Sequence, residues 1–251
     1  MRRAITGRFN SPGHVLRFGV GGLVLAALLF LTAAWIYPAE NDYVFMEKSA
    51  SYLGSFDKSR NPVGWWLFSL GLLVLGAVST GAALFRHRQL ARAIETGWAL
   101  YVATGAFVLG GVIFGLLALI PDARTAHVGP WSFNDIHDRL AAFVFFLLGL
   151  GMTFDGFIML GDRIVNGHTR IDHRVLRRPY LTFIAIGLVA GVSLLTWHIQ
   201  CRLDSSLKEW PGSGIHSFPM WEWILTFLGP GTLVWVAWSF AVAPTKHKSA
   251  D

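Results

Sequence analysis

The sequence predicts an all-α fold, a polytopic membrane bundle of six transmembrane helices with both termini cytoplasmic. Of the 251 residues, 53% are hydrophobic and only 14% are charged, and the mean hydropathy is +0.49. So few charges would leave the surface of a soluble domain poorly solvated. Six apolar segments also have the length of about 20 residues that crosses a bilayer. The predicted segments are Phe18–Tyr37, Val63–Phe85, Trp98–Ile120, Leu140–Gly161, Tyr180–Gln200 and Met220–Ala243.

The distribution of charge predicts the orientation. Of the 21 Lys and Arg residues, 14 lie in the tails or in the loops that follow the second and fourth segments, and 7 lie on the other side. Short loops rich in Lys and Arg stay in the cytoplasm. Most acidic residues lie in the outer loops, so the net charge of +6 indicates topology and contact with anionic lipid headgroups, with no nucleic-acid partner expected.

The first segment is predicted to be a retained helix, because its apolar run is longer than a signal-peptide core and no small-x-small cleavage site follows. The chain is then divided into a basic cytoplasmic tail (residues 1–17), a transmembrane domain (18–243) and a second cytoplasmic tail (244–251). Cys201 is the single cysteine, which excludes an intrachain disulfide. This topology without disulfides fits a bacterial inner membrane.

The remaining elements follow from local signals. Pro62 opens the second segment, where its missing N–H costs little. Glycine pairs in the third and fifth segments, Gly111 with Gly115 and Gly187 with Gly191, predict close helix packing. Ser132 and Asp135 form a capping-box pattern before the fourth segment, and Asp135 is spaced to pair with Arg139. Gly229-Pro230-Gly231 predicts a kink in the sixth.

A pocket is predicted on the outer side, because three segments place ionisable groups at one depth below the long first outer loop. Ionisable residues at membrane depth commonly mark a functional site. The predicted lid is Glu47, Ser51, Asp57 and Asn61, and the predicted floor is His137, Asp138, His198 and Glu222. Tryptophans are expected to fix its depth: Trp65, Trp66, Trp131, Trp197, Trp221 and Trp223. Its expected ligand is a lipid headgroup or a partner membrane protein.

A metal-dependent lipid hydrolase is the first alternative. Imidazole and carboxylate groups suit zinc or iron, and His137, His198 and His216 with a carboxylate are the predicted ligands. Metal-ligand spacing such as His-x-x-x-His is missing, so these ligands would have to converge from different helices. Haem is not expected, since only His137 and His198 approach the positions that axial ligands require.

Two further alternatives are a serine nucleophile and a small transporter. Ser49, Ser51 or Ser55 would act beside His137 and Asp138, although no Gly-x-Ser-x-Gly elbow is present. A transporter would use Asp155 and the break in the sixth segment. Asp155 lies about 27 Å from His137 along the fourth helix, and it is expected to snorkel to the cytoplasm or to pair with Arg163.

Short motifs carry a family resemblance. The first outer loop contains Ser51-Tyr52-Leu53-Gly54-Ser55, followed by Asn61-Pro62 and an aromatic start to the second segment. These features resemble the DRAM/FRAG/SFK group of six-helix membrane proteins and their bacterial relatives. The His137-Asp138 pair is similar to that group's histidine at the start of the fourth helix. The resemblance implies a lipid-linked role and no particular reaction.

A more distant likeness connects the chain with intramembrane ceramidases and adiponectin-receptor hydrolases, which hold zinc with three histidines. The chain departs from them, because it has six segments rather than seven and lacks their late His-x-x-x-His pair.

Overall fold

The computed structural model describes residues 11–93, 97–166, 173–204, 206–207, 212 and 214–242. Within these ranges six helices are long and apolar enough to cross a membrane, which confirms the predicted all-α bundle. They are α1 (Pro12–Trp35), α2 (Trp65–Ala93), α3 (Trp98–Leu119), α4 (Phe133–Asn166), α5 (His173–Leu203) and α6 (Phe218–Val242). The predicted C-terminal tail lies outside the described residues.

Helix α1 begins six residues earlier than predicted. Ser11 caps it by accepting a hydrogen bond from the backbone N–H of His14 (3.3 Å), and Pro12 occupies the first turn, where its missing N–H is harmless. A π-helical stretch, Val15–Val20, leads into the regular helix Gly21–Trp35. Residues 12–17 of the predicted tail therefore belong to the bundle.

Helix α2 lies at the centre of the bundle and packs against α1, α3 and α6, while α5 packs against α6. A Cβ added to Gly76 would lie 2.5 Å from the carbonyl oxygen of Gly111, so α2 and α3 approach backbone to backbone there, as small residues permit. This confirms the prediction for Gly111. A Cβ added to Gly187 or to Gly191 would meet no atom within 4 Å among the described residues. The predicted close packing of α5 at these two glycines is therefore wrong within the chain.

An ion pair is buried at the end of the bundle opposite the long loops. Arg86 of α2 pairs with Asp155 of α4, and Tyr180 of α5 donates to the same carboxylate. Arg86 also donates to the hydroxyl of Thr104 on α3 (3.3 Å). The expectation that Asp155 snorkels to the cytoplasm is therefore wrong, since it is buried against Arg86. Its expected alternative partner, the Arg163 side chain, lies outside the described part of the structure. The predicted second segment ended at Phe85 and placed Arg86 in the loop that follows. In the structure α2 continues past Arg86, which is fully buried.

Three loops meet at the other end, which we call the pocket end. They are loop A (36–64), loop B (120–132) and loop C (204–217). Loop A contains two short 3-10 helices, Ala39–Asn41 and Ala50–Gly54. Loop B holds a small antiparallel pair of strands that the sequence did not predict, β1 (His127–Val128) and β2 (Trp131–Ser132).

The predicted start of α4 is confirmed. Ser132 Oγ accepts from the N–H of Asp135 (3.0 Å), and the Asp135 carboxylate accepts from the N–H of Ser132 (3.2 Å), which is a reciprocal capping box. Arg139 lies over the Trp131 ring at 3.9 Å, and within the described residues it forms no ion pair with Asp135. Pro230 lies inside a continuous α6.

Candidate functional site

Asn61 fixes the shape of loop A. Its side-chain amide donates to the carbonyl oxygens of Ala33 (3.2 Å) and Leu53 (2.9 Å), and its oxygen accepts from the N–H of Gly64 (3.0 Å). The residue is fully buried. Because it satisfies three backbone groups that would otherwise be unpaired, Asn61 holds the loop against the ends of α1 and α2 and is not exposed to a ligand.

Asp57 joins loop A to loop B. Its carboxylate accepts from the backbone N–H of Arg124 (2.8 Å) and of Thr125 (3.3 Å) and from the Thr125 hydroxyl. Burial raises the pKa of Asp57, but these three donors and the charge of Arg60 outweigh that effect and hold the pKa below its ordinary value of 3.8. Hydrogen bonds to the charged form have this effect on a carboxyl group.

A buried ion pair makes the second link between these loops. Arg60 Nη1 lies 2.5 Å from Asp122 Oδ2 and also donates to the Asp122 carbonyl oxygen (2.8 Å). The guanidinium lies over the Tyr52 ring, 3.9 Å from its centroid. Asp122 in turn accepts from the side-chain amide of Asn134 on α4. Both charges are paired and hydrogen-bonded, as buried charges require.

Glu222 of α6 anchors the 3-10 helix Ala50–Gly54. Its carboxyl group accepts from the Ser49 hydroxyl, from the N–H of Ala50 (2.9 Å) and from the N–H of Ser51 (3.3 Å). These N–H groups have no partner within the short helix. Glu222 therefore ties loop A to α6, and a second tie is the hydrogen bond from Ser217 Oγ to the carbonyl oxygen of Met46 (2.6 Å).

His137 lies one turn inside α4 and is buried. Its Nδ1 is 2.8 Å from the carbonyl oxygen of Ile120. A carbonyl oxygen only accepts, so Nδ1 carries the proton. In the neutral ring Nε2 is then an acceptor.

These groups surround a cavity of about 570 Å³ between α4, α5, α6 and loops A and B. One part of its wall is polar and is formed by Ser49, Ser51, Tyr52, Arg60, Asp122, Arg124, Asn134, His137, Asp138 and Glu222. The rest is apolar and is formed by Ala141, Ala142, Phe145, Leu194, Phe218, Trp221 and Leu225. The volume is typical of a small-molecule site, and the division of the wall suits an amphiphilic ligand.

The cavity exists because α4 and α6 separate toward the pocket end. The two helices approach closely nearer to the middle of the bundle, where a Cβ added to Gly229 of α6 would lie 2.4 Å from the Leu148 side chain of α4. Phe145 lies eight residues beyond His137, about 12 Å along the helix, and it lines the cavity together with Leu225. Apart from Phe218 and Trp221, which stand at the start of α6, the apolar lining residues therefore lie nearer to the middle of the bundle.

The structure brings together four of the eight predicted binding residues, Ser51, His137, Asp138 and Glu222, which all line the cavity. The other four lie outside the lining. Asp57 and Asn61 are buried loop anchors, Glu47 is exposed on loop A, and His198 is half-buried on α5. The predicted lid is thus partly a scaffold, because loop A presents Ser49 and Ser51 to the cavity and turns Asp57 and Asn61 toward the protein.

Sequence reasoning missed Tyr52, Arg60, Asp122, Arg124 and Asn134. In the sequence, Arg60 and Asp122 are two of the charges on the outer side, which the prediction used only for the orientation of the chain. Opposite charges on two loops of the same side were a usable signal, since such residues pair when buried. Trp221 is also not at an interface with lipid: it is buried, lines the cavity and donates to the carbonyl oxygen of Ile215 (2.7 Å).

The predicted metal ligands are not assembled. Within the described part of the chain, no three His, Cys, Asp or Glu side chains are placed to hold a metal ion. His137 lines the cavity, whereas His216 stacks on Trp197 (centroids 5.6 Å apart) with its Nδ1 near Ser193. His198 is half-buried on α5 and does not line the cavity. The predicted set of His137, His198 and His216 is therefore corrected, because the three histidines do not form a metal-binding group among the described residues.

The predicted pairing of a serine with His137 is not seen among the described hydrogen bonds. Ser51 donates to Ser49 (3.1 Å), and Ser49 donates to Glu222. Ser55 is fully buried and accepts from the N–H of Asp57 (3.4 Å). Among the described hydrogen bonds, none joins these serines to His137, so they serve to hold loop A.

The fold and the cavity define a class: a bundle of six helices of membrane-spanning length with an amphiphilic pocket at one end. Comparison of the chain with protein-family models, with curated proteins and with solved structures gave no match. The resemblance to the DRAM/FRAG/SFK group stays a prediction from the motifs.

Proposed function

We propose that this chain is an integral membrane protein that binds a lipid headgroup in the cavity at its pocket end. The excess of Lys and Arg in the tails and in the loops of the opposite end supports a cytoplasmic location for that end and an outward-facing cavity. The proposed membrane is a bacterial inner membrane.

The observation that carries the proposal is the division of the cavity wall. Its charged and hydroxyl groups come from loops A and B and the first turns of α4 and α6, while Ala141, Ala142, Phe145, Leu194 and Leu225 continue the wall toward the middle of the bundle. In a bilayer this order follows the order of headgroup and acyl chain. A lipid therefore meets polar groups and apolar side chains at matching depths.

The route of access supports a lipid over a water-soluble ligand. Helix α4 packs extensively against α3, but within the described residues it has little contact with α5 or α6. The cavity lies in this gap and Ala142, which lines it, is exposed. A lipid would enter sideways from the membrane through the gap, with its headgroup under loops A and B and its chains remaining between the helices.

The test is to fill the cavity. Ala142→Trp introduces a large ring at an exposed lining position, so little destabilisation is expected. Val112→Trp is the matched control, because Val112 is 50% exposed on α3 and does not line the cavity. Phospholipids retained by the detergent-purified protein are quantified by mass spectrometry. The expected result is several-fold less lipid per chain for Ala142→Trp alone.

Equal retention by the two variants and the wild type would refute the proposal. If Ala142→Trp instead changed the proteins recovered after cross-linking in the membrane and left the lipids unchanged, the cavity would be a docking site for a partner membrane protein.

A further inference from the structure

Resting on the proposed lipid-binding function, we propose that the headgroup is a zwitterion with a primary ammonium group and a phosphate, the chemistry of phosphatidylethanolamine. Asp138 and His137 would receive the ammonium group, and Arg124 would receive the phosphate.

The charges of the cavity are largely committed to the protein itself. Arg60 and Asp122 neutralise each other at 2.5 Å. Glu222 is occupied by the hydroxyl and N–H groups at the start of the helix Ala50–Gly54. Glu222 has no ion pair among the described residues, but both of its carboxylate oxygens accept these hydrogen bonds. The other charged lining residues without an ion pair there are Arg124 and Asp138. One free cation and one free anion in one cavity match a ligand with both charges.

Asp138 and His137 define the chemistry of the ligand's cation. The only hydrogen bond to the Asp138 carboxylate among the described residues is a long one from Asn134 (3.4 Å). Because Nδ1–H of His137 is held by Ile120, the neutral ring offers an accepting Nε2. Both groups accept hydrogen bonds and need a donor. A primary ammonium has three N–H donors, whereas a quaternary choline has none.

The aromatic residues of the cavity do not favour choline either. Quaternary ammonium ions are recognised by several aromatic faces around the charge. One face of Tyr52 is already covered by Arg60, at 3.9 Å, and Phe145 belongs to the apolar part of the wall. Phe218 and Trp221 are the other aromatic lining residues. Trp221 is fixed by its hydrogen bond to Ile215, and both come from the start of one helix, α6, so they do not surround a charge from several sides.

Arg124 is placed to receive the phosphate. Its backbone is held by Asp57, which accepts from its N–H at 2.8 Å, while its side chain lies at the exposed rim of the cavity. A guanidinium binds phosphate oxygens in a bidentate manner. A headgroup with phosphate but no amine would pair with Arg124 but leave the Asp138 carboxylate without a cation, which argues against phosphatidylglycerol.

The experiment measures binding of four lipids to the full-length protein in detergent by native mass spectrometry. They are dioleoyl phosphatidylethanolamine, its N-acetyl derivative, dioleoyl phosphatidylcholine and dioleoyl phosphatidylglycerol. The expected preference for phosphatidylethanolamine over the other three is about tenfold, the value of one charge-assisted hydrogen bond. The N-acetyl derivative isolates the amine, because it retains the phosphate and both chains.

Two variants assign the roles. Asp138→Asn should reduce the preference over phosphatidylcholine to about twofold, because the ammonium loses its partner. Arg124→Gln should weaken the binding of phosphatidylethanolamine and of phosphatidylcholine by the same factor and leave the ratio of their affinities unchanged, since both lipids carry the phosphate. Glu47→Gln and Lys58→Gln are the controls, because they remove exposed charges of loop A that lie outside the cavity lining, and they should bind as the wild type does.

Equal binding of phosphatidylethanolamine and its N-acetyl derivative would overturn this inference. If Ala142→Trp still abolished binding of both, the lipid-binding function would stand and only the headgroup assignment would fail. A preference for phosphatidylglycerol would overturn the assignment as well. Lipid binding that is insensitive to Ala142→Trp would overturn the proposed function itself.

Discussion

The buried ion pair between Arg86 and Asp155 makes the sharpest prediction about stability. Both side chains are essentially inaccessible to solvent, and together with Thr104 and Tyr180 they connect four helices. Removing one partner of a buried pair leaves an uncompensated charge, which costs about 3 to 5 kcal/mol. For a chain of this size that corresponds to a fall in melting temperature of about 6 to 20 °C.

The single variants are Asp155→Leu and Arg86→Met. Replacing a whole buried pair with apolar residues of similar volume is often nearly neutral. The double variant is therefore expected to recover at least half of the loss caused by Asp155→Leu alone. The assay heats aliquots of detergent-purified protein and measures the fraction that remains monodisperse by gel filtration.

Asp204→Asn is the control, because Asp204 is exposed and its carboxylate bonds only to Ser206 in the described structure. Its melting temperature should change by about 2 °C or less. If the losses of Arg86→Met and Asp155→Leu simply added in the double variant, the two residues would not be coupled, and the argument from the buried pair would be refuted.

Three further predictions concern loops and packing. The pKa of Asp57 is lower in the folded chain than its ordinary 3.8, so its carboxylate stabilises the fold above pH 3.8 and loses this effect as the pH falls through the folded pKa. The difference in melting temperature between wild type and Asp57→Asn should therefore shrink below pH 3.8. A difference that grows there would contradict the assignment. Gly111→Val should lower the melting temperature, because Gly111 meets Gly76 and Thr80 where α2 and α3 approach closely. Gly187→Val should change the melting temperature by about 2 °C or less. Similar losses for the two variants would refute the close contact of α2 and α3 at Gly111. Glu222→Ala leaves the N–H groups of Ala50 and Ser51 without an acceptor, and each unpaired group destabilises the fold by about 1 to 3 kcal/mol. Trypsin should therefore cleave loop A after Lys58 several-fold faster than in the wild type. An unchanged cleavage rate would show that Glu222 does not anchor the loop.

Much of the architecture was predictable because it depends on local composition and on the bilayer. The six helices follow from apolar runs of membrane-spanning length, and the start of α4 follows from the Ser132 and Asp135 capping pattern. Bounds were less accurate. Helices α4 and α5 extend several residues beyond their apolar runs, because polar residues at helix ends also adopt helical geometry.

Only the tertiary structure decided which polar residues meet. Asp155 had a plausible neighbour in sequence, Arg163, but the close packing of α2, α3 and α4 places Arg86 against it instead. His137 and His216 share one side of the chain, yet His137 contacts Ile120 and His216 contacts Ser193. The depth of a residue follows from its position in the sequence, whereas the rotation of its helix follows from packing.

The lid of the cavity shows the same division within one loop. The sequence indicated that loop A is polar, lies on one side and covers ionisable groups. It did not distinguish Asp57 and Asn61, which satisfy backbone groups of the protein, from Ser51, which reaches the cavity. Polarity is a property of each residue by itself, but the partner of a buried polar group depends on three-dimensional neighbours that are distant in sequence, such as Thr125 for Asp57 and Ala33 for Asn61.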